Sequence, residues 1–143
     1  MAYDKDVIDK TKDYVRRTLE GEGSGHDWWH IQRVYNNATK IGKEEGGDLY
    51  VIELAALLHD IADYKFHGGN FSVGPRVAKE HLVGLNVDEQ IINHVCDIIA
   101  DLSFKGAGAE KPMKTIEGKT VRDADRLDAI GAIGIARCFA YGG

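Results

Sequence analysis

Three short stretches of this chain carry side chains able to hold a metal ion: His30, the adjacent pair His59-Asp60, and Asp125 with Asp128. His30 sits beside an apolar stripe, Ile31, Val34 and Ala38, at helical spacing. His59 and Asp60 close the most apolar run in the sequence, VIELAALLHDIA from Val51 to Ala62. Asp125 and Asp128 are three apart and share a helix face, whereas Asp123 points elsewhere. Two imidazoles and two carboxylates drawn from separate helices form a mixed nitrogen and oxygen donor set, which suits manganese, iron, zinc, cobalt or nickel better than calcium. Each residue alone has a plainer role. A single histidine on a helix flank is commonly a satisfied hydrogen-bonding group, His59 can cap its helix, and Asp60 can meet an arginine. The set carries the metal reading, and spacing alone does not choose between Asp125 and Asp128.

A second pattern competes for His30. His26 and His30 are four apart, the spacing of the two histidines in zinc hydrolases that carry H-E-x-x-H on a helix. Here Asp27 stands where that motif has glutamate, one methylene shorter, and His26 follows a glycine-rich turn. The pattern is set aside on those two grounds.

The elements that must position these side chains are helical throughout. A first amphipathic helix is predicted from Asp4 to Glu20, stopped by three glycines between Gly21 and Gly25. A second runs from Asp27 to Glu45 and ends at Gly46-Gly47. Asp48 is the predicted N-cap of the third, the buried run through Ala62. After Asp63 a loop extends to Phe71. A fourth helix follows from Val73 to Val83, with Pro75 tolerated in its first turn, and Asp88 caps a fifth from Glu89 to Leu102. Ser103 to Lys119 reads as a long loop, and a last helix spans Val121 to Ala140. No alternating apolar run of strand length occurs, so the fold class is all-α, in one domain covering 1–143.

Composition excludes several functions. With 43% hydrophobic and 29% charged residues the chain matches ordinary globular proteins. Its formal net charge of -5 argues against an extended nucleic-acid surface, which needs a basic face. No apolar run has the roughly 18 residues a membrane span requires, and no signal-peptide pattern opens the sequence. Cys96 and Cys138 stand in apolar helical contexts without CxxC spacing, as reduced core residues of a cytoplasmic protein.

The three stretches His30-Ile31-Gln32-Arg33-Val34, Leu57-Leu58-His59-Asp60 and Ala124-Asp125-Arg126-Leu127-Asp128, in that order, resemble the HD-domain superfamily of metal-dependent phosphohydrolases. The resemblance covers about residues 26 to 140. It is strongest to small bacterial stand-alone HD hydrolases that open with GHDWWH, here residues 25–30, and carry VRDADRLDAIGAIGIAR, here residues 121–137. That group is associated with pyrophosphohydrolase activity on nucleoside triphosphates. The resemblance implies a compact HD bundle of about six helices, with His30, His59, Asp60 and Asp125 as metal ligands. Asp128 then falls outside the ligand set, as a partner for Arg126 or Arg33. Family chains continue past the Ala140-Tyr141-Gly142-Gly143 segment, so this chain is expected to lack C-terminal helices of a longer form.

Further roles follow from the same resemblance. Asp63, one turn beyond Asp60, takes the position where related hydrolases often place a glutamate for proton transfer; its plainer role is a salt bridge to Lys65. Lys65, His67, Lys105, Arg33 and Arg126 are the candidates for binding substrate phosphates, and Trp28, Trp29, Tyr64 and Phe104 are candidate stacking surfaces. The expected cofactor is one divalent ion, manganese first, with magnesium, cobalt, nickel, zinc and iron as alternatives. His94 does not complete the additional histidine set of two-metal relatives. The expected partner is a nucleotide, with no membrane, and a homo-oligomer is left open. Two other functions fit the same scaffold: a module that binds metal and nucleotide without turnover, and an iron-dependent oxygenase, which needs more histidine ligands.

Overall fold

The computed structural model describes residues 2–20, 28–62, 72–104 and 113–142, with the helical backbone alone at 103–104 and 132–142. The described residues form six helices and no strand: α1 Lys5–Glu20, α2 Trp28–Glu45, α3 Leu49–Leu58, α4 Val73–Gly84, α5 Glu89–Phe104 and α6 Ile116–Gly142.

The hub is α3. Its residues from Tyr50 to Leu58 are all buried, Glu53 included, so it has no solvent face and must be wrapped on every side. α1, α2, α5 and α6 all pack against it. Asp48 starts the helix as expected, its carboxylate accepting from the Tyr50 backbone N–H at 3.0 Å. The carboxylate of Glu53 meets a donor inside the core, the hydroxyl of Tyr35 from α2, and so ties α2 to α3. Those two helices also approach closely at Gly42, where an added Cβ would lie 2.9 Å from Ile52 Cδ1.

The largest departures from the sequence reading are at two boundaries. The buried helix stops at Leu58 rather than Ala62, and His59 is its C-cap, followed by a turn closed by Ile61 N–H to the Leu58 carbonyl at 3.2 Å. The last helix begins at Ile116, five residues before the predicted start, so Ile116 to Lys119 is helix and not loop. Thr115 is the reason: its Oγ1 accepts from the Gly118 N–H at 3.1 Å, an N-cap the glycine-rich composition obscured. Gly118 is there for closeness rather than flexibility, since a Cβ would lie 3.3 Å from Met113 Cε and 3.5 Å from Ile98 Cγ1.

The join between α2 and α3 is also fixed. Gly46 and Gly47 have φ of 95° and 100°, the left-handed region that ends helices. Beside them Glu117, in the first turn of α6, accepts from the Asp48 N–H at 2.7 Å. No described helix is long and apolar enough to cross a membrane.

Candidate metal centre

Where α2, the end of α3 and α6 converge, two imidazole nitrogens lie close to two carboxylate oxygens. His30 Nε2 lies 3.4 Å from Asp60 Oδ2 and 3.3 Å from Asp125 Oδ1. His59 Nε2 lies 3.5 Å from the same Asp60 oxygen and 3.4 Å from the same Asp125 oxygen. The rings meet edge to face with centroids 5.7 Å apart. Donors held at about 2.1 Å from one tetrahedral ion are themselves separated by about 3.4 Å. His30, His59 and Asp60 thus form a possible metal site, and the Asp125 oxygen stands at matching distances.

The local structure explains why these atoms point inward. His59 caps α3, and its Nδ1–H donates to the carbonyl of Ala56 at 2.7 Å. Its Nε2 is left over, buried and without a hydrogen-bond partner, a costly arrangement for a polar atom unless something binds it. His30 is oriented by α6: its Nδ1 lies 2.6 Å from Asp128 Oδ2. Both imidazoles thus have the outer nitrogen engaged and the inner one facing the site, as metal-binding histidines do.

The electrostatics are those of a donor cluster closed on itself. Hydrogen bonds donated to Asp125 and then Asp60 push the His30 pKa up to about 10 against its partial burial. For His59, burial disfavours the charged ring, but Asp60 and then Asp125 outweigh it and raise the pKa to about 9. Burial likewise opposes ionisation of Asp125, yet the facing imidazoles of His30 and His59 hold it well below the usual carboxylate range. Asp128 is held down chiefly by Arg33. A cation binding here would replace protons on the imidazoles and meet the Asp125 carboxylate already ionised.

The other sequence candidates fall in three groups. Arg33 lies at the rim, its Nε 2.5 Å and Nη2 3.3 Å from the two oxygens of Asp128, the pairing expected as one of two. Arg126 is half-buried beside Asp125. Asp63, Lys65, His67 and Lys105 lie outside the described residues, as do His26, Tyr64 and the side chains of Phe104 and Cys138. Trp28 packs partly against the core whereas Trp29 is exposed. His94 is turned to Thr115, 3.0 Å away, and to Glu117. Cys96 is half-buried, its thiol donating to the Pro75 carbonyl.

Sequence reasoning missed the bond between His30 and Asp128. Its only trace was the shared face of Asp125 and Asp128, and the choice of partner depends on how α2 crosses α6.

Residues 28–130 match the HD domain family. The chain belongs to that family. YpgQ of Bacillus subtilis (strain 168) is 42% identical over 137 residues, covering 94% of this chain and 66% of YpgQ. Among solved structures, an HD-superfamily hydrolase from Bacillus thuringiensis matches with a TM-score of 0.75 and 46% identity, over 97% of this chain and 66% of that one. YpgQ in complex with ADP matches with a TM-score of 0.69 and 37% identity, over 96% of this chain and 66% of that one. This HD domain chain thus spans about 66% of the length of these relatives.

Proposed function

We propose that this chain is a divalent-metal-dependent phosphohydrolase acting on nucleotides, with a (deoxy)nucleoside triphosphate as substrate and pyrophosphate as a product. The observation that carries the proposal is the buried Nε2 of His59, which makes no hydrogen bond and faces carboxylate oxygens of Asp60 and Asp125 at 3.5 and 3.4 Å. In this reading His30, His59, Asp60 and Asp125 hold the ion, and manganese is one of the ions that the mixed donor set suits. When bound, the ion supplies Lewis-acid polarisation of a phosphoryl oxygen and a lowered pKa for water.

The chain's own residues do the rest. The two carboxylates offset the ion's charge while the imidazoles, each held at its outer nitrogen, orient the inner ones. Asp63 accepts a proton from the attacking water. Arg33, Arg126, Lys65, His67 and Lys105 bind the phosphates and offset charge that builds on the transferring and leaving groups. The ADP bound to YpgQ supports a nucleotide as the ligand class, and the free thiol of Cys96 accords with a cytoplasmic location.

The same ADP complex fits a module that binds nucleotide without turnover. One experiment separates the two. Metal content of the purified protein is measured, and a nucleotide panel is then assayed with manganese for released phosphate and pyrophosphate. Pyrophosphate release from triphosphates supports the hydrolase; metal and nucleotide binding without either product supports the module.

A further inference from the structure

We propose that Asp128 is a positioning residue, which clamps His30 by its outer nitrogen so that Nε2 faces the donor cluster, and is itself clamped by Arg33. The proposal rests on the metal reading of the site and assigns a role to a carboxylate outside the donor set.

The geometry separates the two aspartates that spacing left equivalent. Asp125 Oδ1 faces the Nε2 atoms of both imidazoles. Asp128, one helical turn on, meets the opposite edge of the His30 ring, with Oδ2 2.6 Å from Nδ1. Neither Asp128 oxygen is left to turn inward: Oδ1 is 2.5 Å from Arg33 Nε, and Oδ2 is shared between His30 and Arg33 Nη2 at 3.3 Å. The fork of a guanidinium on a carboxylate fixes direction as well as distance. The carboxylate side chain is 11% exposed while Arg33 is 55% exposed, so the clamp is closed from the solvent side.

The two histidines reach the same end by different means. His59 uses the Ala56 carbonyl of its own helix, an acceptor present whenever α3 forms. His30 depends on a side chain 98 positions away. Its orientation is therefore controlled by α6 and is open to change by a single substitution. A carboxylate behind a metal-binding imidazole also makes the ring a stronger donor, and loss of such a partner costs about 10–100-fold in metal affinity.

The test uses Asp128→Asn in the full chain, with titration calorimetry against Mn2+ and nitrogen-15 NMR of the metal-free protein. The expected result is Mn2+ affinity lower by about 10–100-fold, with loss of a slowly exchanging His30 Nδ1–H signal and an unchanged His59 Nδ1–H. A purely structural role would not remove one ring proton signal and spare the other. Affinity within twofold of wild type overturns the proposal. So does complete loss of binding, equal to that of His59→Ala, which would make Asp128 a ligand. If the Asn variant does not fold, Arg33→Met on the exposed rim carries the test: faster exchange of the His30 Nδ1–H with weaker Mn2+ binding supports the clamp, and no change in either overturns it. Wild-type protein that binds no Mn2+ overturns the metal reading instead, while the His30 signal still decides whether Asp128 holds the ring.

Discussion

The Nδ1–H of His59 donates to the carbonyl of Ala56, 2.7 Å away in the last turn of α3. One imidazole thereby ends a helix and presents its other nitrogen to the site. The plain role and the proposed chemical role of this histidine are not alternatives, since capping is what aims its Nε2 at the carboxylates.

Removing either member of the pair at the end of α3 should therefore abolish the site and leave the bundle. His59→Ala and Asp60→Ala are expected to lower Mn2+ affinity by more than about 100-fold, beyond what loss of a supporting residue costs. Turnover should vanish while helical circular dichroism stays unchanged. Full activity of a verified metal-free double variant would sink the assignment.

The site should also give the metal-free protein an inverted alkaline response. The His30 and His59 pKa values are raised, to about 10 and about 9. Their contribution to stability is thus fully present below the ordinary histidine value of about 6.5, and is lost as pH rises through 9 to 10. Asp125 is shifted the other way, so its contribution is present above the ordinary carboxylate value and disappears as pH falls through its depressed one. Thermal melts without metal should decline from pH 6.5 to pH 10. With Mn2+ at saturation, where the imidazoles are already deprotonated, that decline should flatten. Calorimetry in two buffers at pH 7 should register proton release on ion uptake.

Tyr35→Phe tests the tie between α2 and α3. It removes the donor to the buried Glu53 carboxylate, whose other oxygen already has no hydrogen-bond partner. Leaving the group unsatisfied should cost about 1–3 kcal/mol in urea unfolding. Combining it with Glu53→Leu should cost less than the two changes summed, because no stranded polar group remains.

Gly47→Ala should destabilise for two separate reasons. The residue has φ of 100°, and an added Cβ would lie 3.1 Å from Ile116 Cγ2 and 3.2 Å from Glu117 Oε2. A loss of about 1–2 kcal/mol is expected from the backbone alone. Gly46→Ala, with a similar φ but open space around it, should show the backbone part only, and equal losses at both positions would remove the steric part.

Much of this was legible in the residues. The buried α3 could be read because an apolar run without a polar face has only one place to go, and His59-Asp60 stood out for its charge at that run's end. The start of α6 was hidden because glycine and lysine near Gly118 resemble a loop, whereas the glycine answers the approach of Met113 and Ile98. Glu53 carries no signal of its role inside its apolar run, since its donor lies on another helix. The His30–Asp128 bond had no local signature either: it is set by the crossing of two helices, and a pattern of spacing along one helix carries no record of what lies across from it.

That crossing has a consequence for how the chain folds. A bond between positions 98 apart exists only after α6 has docked, so the donor cluster is completed late, by the helix synthesised last among those described. An ion bound there fastens the early and late parts of the chain to each other, closing a long loop that is entropically costly to close. If such an ion binds the native state alone, its concentration would set how often α6 lifts away.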